Sequence, residues 1–161
     1  MKKPIKYFVR ESALLNSLIR EYAAKGEKPP KIIIEELTKG WGQGYAIIPP
    51  KHPYYGIVPD VDVHGGVTFS EYAKDIDWPE ISAEDKTGYV IGFDTLHAWD
   101  TPEQWPKENV EAEAKRLAEQ LESMWKSHRI KNACLHWAAK LLSFLQKTLT
   151  RCVSVIFRWK R

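Results

Sequence analysis

Gly88-Tyr89-Val90-Ile91-Gly92-Phe93-Asp94-Thr95-Leu96-His97-Ala98-Trp99-Asp100 carries the clearest strand signal in the chain. Residues 88–94 are rich in β-branched and aromatic side chains, and the run passes directly into a polar Thr-Leu-His segment. Next to it, Thr101-Pro102-Glu103-Gln104 has the T-x-x-Q form of a capping box with Pro at the first helical position, and Pro106 restarts the chain as a helix. Val110, Ala114, Leu117, Leu121 and Met124 then step by four and three, which predicts an amphipathic helix with one face on a sheet. Glu111 and Lys115 are expected to pair on its wet side.

Before the strand, Ile5 to Val9 reads as a first strand. Ser12 is a helix cap for residues through Ala24, with Leu14, Leu15, Leu18, Ile19 and Tyr22 at helical spacing and Gly26 closing the helix. Pro29-Pro30 breaks the chain, and Ile32 to Ile34 reads as a buried strand. Tyr45 to Ile48 is a short strand among turn residues. Val61 to Phe69 is strand-like but interrupted by Gly65-Gly66, and residues 74–88 read as a loop. The expected fold is α+β: a small, mainly antiparallel sheet with helices packed on one face and a C-terminal amphipathic helix.

Composition agrees with a folded chain. It has 161 residues, 43% hydrophobic and 28% charged, with seven Trp, seven Tyr and five Phe to fill a core or line a site for a flat ligand. Charge divides the chain into a body, 1–127, and a tail, 128–161. Up to residue 122, 15 Lys and Arg stand against all 21 Asp and Glu, a net −6; residues 123–161 hold nine Lys and Arg and no acid, a net +9. Along the tail Cys134, Ala138, Leu141, Leu145, Leu149, Cys152, Ile156 and Trp159 form an apolar stripe, widened by Trp137, Leu142, Phe144 and Val153. Three partners fit it: the body or a second copy of the chain, an anionic membrane surface, or nucleic-acid phosphates.

The N-terminal segment lacks the uninterrupted apolar core of a signal peptide, and no stretch reaches the ~18 apolar residues of a spanning helix. Cys134 and Cys152 would lie roughly 27 Å apart on one continuous helix, too far for a disulfide, so a reducing, cytoplasmic setting is expected, with peripheral membrane attachment open.

Chemistry concentrates between Trp41 and Asp100. On a strand, Asp60, Asp62 and His64 would share one face, with Val61 and Val63 as core on the other; a solvated face is the plain alternative to a ligand row. Asp94, His97 and Asp100 step by three, which clusters them in a turn but not in a strand. Two readings of a site follow. A ligand pocket would use Tyr45, Lys51, His52, His64, Gly65, Gly66, Thr68, Asp94, His97 and Trp99. Tyr54, Tyr55 and Phe93 would add aromatic walls, and Lys51 with His52 would favour a phosphate-bearing ligand. A metal-dependent hydrolase would draw on Asp62, His64, Asp94, His97 and Asp100, a donor set suited to Mn, Fe or Zn. The familiar nucleotide-loop and hydrolase motifs are absent from the sequence.

Gly44-Tyr45, Pro49-Pro50, His52-Pro53, Gly56, Asp62-Val63-His64-Gly65-Gly66-Val67-Thr68-Phe69, Gly92-Phe93-Asp94, His97 and Asp100 together resemble a group of small phage and prophage proteins. Those carry an HGGLTF-like and a GFDxxHxxD-like segment before an amphipathic helix. The resemblance spans residues 41–121, with Val67 where Leu is expected. It implies an accessory protein of a mobile element, a class in which some members counter host defence by sequestering nucleotide signals.

Overall fold

The computed structural model describes residues 4–37 and 39–158, without the side chains at 14–16, 35–37, 144 and 148–158. The expectations for Leu14, Leu15, Phe144, Leu149, Cys152, Val153, Ile156 and Trp159 therefore lie outside the described residues. The chain forms two compact units, Met1–Ser123 and Met124–Arg161.

The first unit is α+β. Strands β1 (Lys6–Glu11), β2 (Gly42–Ile48), β3 (Phe69–Tyr72) and β4 (Tyr89–Asp94) make one antiparallel sheet of order β1-β2-β4-β3. Helices α1 (Ala13–Ala24) and α2 (Lys31–Leu37) fill the β1–β2 connection, and α3 (Lys107–Arg158) follows β4.

Alternation on the two central strands builds two different cores. Gly44, Ala46 and Ile48 of β2 pair with Phe93, Ile91 and Tyr89 of β4, so these six side-chain positions share one face. Val110, Ala114, Leu117 and Leu121 of α3 are fully buried, as their spacing predicts. A Cβ on Gly44 would stand 2.5 Å from the Phe93 ring and 3.0 Å from Ala114, so the missing side chain lets helix and sheet meet. The opposite face presents Tyr45, Ile47 and Val90, covered by Ala73, Ile76 and Ile81 and edged by Phe8, Phe69 and Trp78.

Five sequence expectations change. Residues 32–34 are helical: the Pro30 carbonyl accepts from the N–H groups of Ile33 and Ile34 (3.0 and 3.2 Å), so the chain turns into α2 where three isoleucines suggested a strand. The strand expected over 61–69 begins only at Phe69. Gly65 and Gly66 have φ of +65° and +81°, and two successive left-handed residues turn the chain out of any ladder. The 74–88 loop contains two 3₁₀ turns, Ala73–Asp75 and Ala83–Thr87, the second held by the Asp85 carboxylate accepting from the Ser82 N–H and hydroxyl (3.1 and 2.6 Å). On α3, Glu111 and Lys115 pair backwards and forwards instead of with each other, as Lys107–Glu111 (3.5 Å) and Lys115–Glu119 (3.8 Å). Ser12 occupies the N-cap of α1, but its hydroxyl makes no capping bond.

Leu117→Ala removes a fully buried side chain from the helix–sheet core. The expected loss is about 2–5 kcal/mol of stability, read from urea unfolding midpoints; a loss below about 0.5 kcal/mol would mean that the helix does not cover the sheet.

Candidate functional site

The end of β4 is fixed before any site residue is reached. The Thr95 N–H and hydroxyl both donate to the Gly42 carbonyl (3.0 and 2.8 Å), and the Thr95 carbonyl accepts from the Gly40 N–H at 2.7 Å. Asp94 then uses its carboxylate on the Leu96 N–H (3.0 Å), which bends the chain and sets the direction of residues 97–100.

Within that bend the Asp100 carboxylate is 1% exposed and gathers three donors. His97 supplies two of them, its backbone N–H at 2.8 Å and its ring Nδ1 at 3.0 Å. His64 supplies the third, through Nε2 at 2.8 Å. A buried carboxylate is stable only when its desolvation is offset by such bonds. They also fix the rings, since a nitrogen that faces a carboxylate carries the proton. The imidazole centroids are 5.1 Å apart and nearly perpendicular. Trp105 covers His64 at 4.2 Å, and Trp99 stacks on His97 at 5.3 Å with its ring 11° from parallel.

His64 is delivered by the glycine turn. A Cβ on Gly65 would fall 2.2 Å from Cε1 of His97, so only a bare backbone can pass the imidazole there. The segment before it is clamped to α3. Glu113 accepts from the His64 N–H at 2.9 Å and from two Arg116 nitrogens at 2.7 and 2.8 Å. Arg116 also reaches Asp62 at 2.8 Å, and Gln120 exchanges two hydrogen bonds with the Asp62 backbone. Burial raises the Glu113 carboxyl, but the Arg116 hydrogen bonds and the His64 N–H outweigh it and hold it below its ordinary range. The hydrogen bonds to Glu113 and then to Asp62 raise Arg116 in turn.

His64, His97 and Asp100 thus come together, and one ligand atom from each lies within 4.8 Å of the others. The other expected residues do different work. Asp62 is exposed and belongs to Arg116, while Asp94 serves its own turn. Asp60 is exposed, and Lys51 lies exposed on the turn before His52. His52 is buried, accepts from the Tyr54 N–H at Nδ1 (3.2 Å) and therefore donates from Nε2 to the Leu121 carbonyl (3.0 Å), an anchor for its own turn. Tyr45 packs with Phe8, Phe69 and Trp78, where burial pushes its hydroxyl up to about 12. Phe93 is in the helix-side core, and Tyr55 packs on Tyr72 and Tyr89. Thr68 extends the sheet edge by donating its N–H to Gly92 (2.9 Å).

Trp105, Glu113, Arg116 and Gln120 were missed by the sequence reading. The last three are spaced by three and four along the flank of the buried face of α3, the one signal that marked them. A cavity of about 630 Å³ lies elsewhere, among residues that include Pro4, Ile5, Tyr7, Ile47 and Pro50.

The class defined by this geometry is an α+β domain with two histidines and a buried carboxylate gathered on the loops after β4 and before β3. Comparison with protein-family models, with curated proteins and with solved structures finds no match.

Two outcomes follow. Gly65→Ala is expected to cost at least about 1–2 kcal/mol, the left-handed penalty alone, and to displace the His97 ring resonances in NMR spectra; unchanged His97 signals would contradict the contact. Because Glu113 is held low when folded, its contribution is present above the ordinary carboxyl range and is lost as pH falls through the folded value. Wild type should therefore exceed Glu113→Gln in stability at about pH 7, and the gap should narrow progressively as pH falls below the ordinary carboxyl range. A constant gap would show that Glu113 acts through packing.

Proposed function

We propose that this chain binds a divalent metal ion through His64, His97 and Asp100 and uses the open positions of that ion to hold a small phosphate-bearing ligand. The supporting observation is the convergence of two imidazoles on one buried carboxylate, with three ligand atoms within 4.8 Å. Ligands at ~2.0–2.2 Å from one ion stand no more than about 4.4 Å apart, so small side-chain rotations close the set. An ion bound there would take the place of the hydrogen bonds between Asp100 and the two ring nitrogens, and the second nitrogen of each ring would then carry the proton. Two His and one carboxylate suit Mn, Fe or Zn and leave coordination positions for phosphate oxygens.

Trp99 favours a nucleotide over a simple phosphate ester. Its indole is 70% exposed and parallel to His97, so its outer face is a platform for a base beside the metal-held phosphate. The resemblance of residues 41–121 to phage proteins supports an accessory role in which such a ligand is sequestered. Hydrolysis of the held ligand is the second reading: an ion held by His64, His97 and Asp100 would act as a Lewis acid on the phosphoryl group.

Native mass spectrometry with metal analysis tests this reading. Wild type is expected to retain one Zn²⁺ or Mn²⁺ per chain, and His64→Ala and His97→Ala to lose it with their circular dichroism unchanged. Trp99→Ala should keep the metal and inorganic phosphate but bind nucleoside phosphates about 5–150-fold more weakly, the worth of one stacked base. A wild type that takes up no metal, or equal nucleotide binding with and without chelator, would overturn the proposal.

A further inference from the structure

In the second unit, Met124–Arg161, the helix sorts most of its charged and apolar side chains onto different faces, with exposed Lys131 the one cation that falls among the described apolar residues. At ~100° per residue, Arg129, Lys140 and Lys147 fall along one narrow stripe. Ile130, Cys134, Leu135, Trp137, Leu141, Leu142 and Leu145 spread over roughly the opposite half of the circumference. The apolar half is in water: Trp137 is 70% exposed, Leu135 68% and Leu142 67%. A contiguous apolar surface of this kind marks a contact face.

We infer that this helix lies flat in the interface of an anionic lipid bilayer, with the leucine and tryptophan half in the acyl boundary and the lysine and arginine stripe toward the headgroups. Charge selects this occupant. Residues 123–161 contain nine Lys and Arg and no acid, so a second copy of the helix would cover the apolar half but bring no counter-charge to the cations. Phosphates of a nucleic acid would satisfy the cations but leave the apolar half in water. An anionic membrane surface satisfies both halves at once. The Lys140 ammonium sits 5.6 Å over the Trp137 ring, at the border of the two halves, where an amphipathic ring and a long cationic stem suit the headgroup level. Among the described residues, no helix is long and apolar enough to cross a membrane, so the helix rests on the surface.

Co-sedimentation of the full-length chain with vesicles tests the inference. At about 0.1 M salt the chain is expected to pellet with phosphatidylcholine vesicles that contain about one quarter phosphatidylglycerol, and to stay in solution with phosphatidylcholine alone. The triple variant Arg129→Gln, Lys140→Gln, Lys147→Gln should bind on the order of 100-fold more weakly, from about tenfold or less per charge. Leu141→Asp with Leu145→Asp should abolish binding; circular dichroism in water and retained Leu117-core stability identify a folded variant. Equal binding to both vesicle types would overturn the electrostatic half of the inference. A chain that ignores vesicles but forms a dimer broken by the Leu141→Asp, Leu145→Asp pair would place a second copy on the face. Binding of a duplex DNA fragment with vesicles left free would overturn the inference in favour of nucleic acid.

Discussion

The buried carboxylate of Asp100 is the constraint from which the upper half of the first unit is arranged. A charge that is 1% exposed must be met by donors, and the three it has come from both sides of the structure. Two come from His97, on the bend after β4, and one from His64, on the turn before β3. Joining them ties the glycine turn to the strand end. Without a partner, a group of this kind would cost several kcal/mol, so the loop geometry and the site geometry are one requirement.

Each neighbouring feature serves that junction. Gly65 is bare because His97 occupies the space a side chain would take. Thr95 seals the end of β4 against Gly42, which keeps the bend from fraying. Glu113, Arg116 and Gln120 hold residues 62–64 against the first turns of α3, while the inner side of the same turns supplies Ala114, Leu117 and Leu121 to the core. The helix is thus core on one side and clamp on its flank. Gly44 admits it closely enough for both.

Much of this was legible in residue order, and the failures have physical causes. The strands around Tyr45 and Val90 and the buried face of α3 stand out because burial imposes a period there, two in the sheet and 3.6 in the helix. Ile32 to Ile34 misled because a β-branched run carries strand propensity, whereas Pro30 presets a helical first turn and its carbonyl starts the ladder. The 61–69 run misled because the alternation of Asp62 and His64 with valines is also what a clamped loop shows when one side meets a helix. Of the residues expected at a site, His64, His97 and Gly65 lie together, with Asp100 from the metal set. Asp94 and Asp62 do not join them, since each has a nearer donor, the Leu96 N–H and the Arg116 guanidinium. His52 carried no mark in the sequence that it would be consumed by the Leu121 carbonyl.

The central claim is that the His64–Asp100–His97 junction is a ligand centre and not only a fastening. Anomalous diffraction from a crystal grown with Mn²⁺ or Zn²⁺ tests it most directly. The account predicts a single strong peak about 2.0–2.2 Å from one nitrogen of each imidazole and one Asp100 oxygen, with density for water or phosphate in its open positions. A map with no peak there, and with both imidazoles still hydrogen-bonded to Asp100 in the presence of the ion, would contradict it and leave the three residues as the fold's own tie.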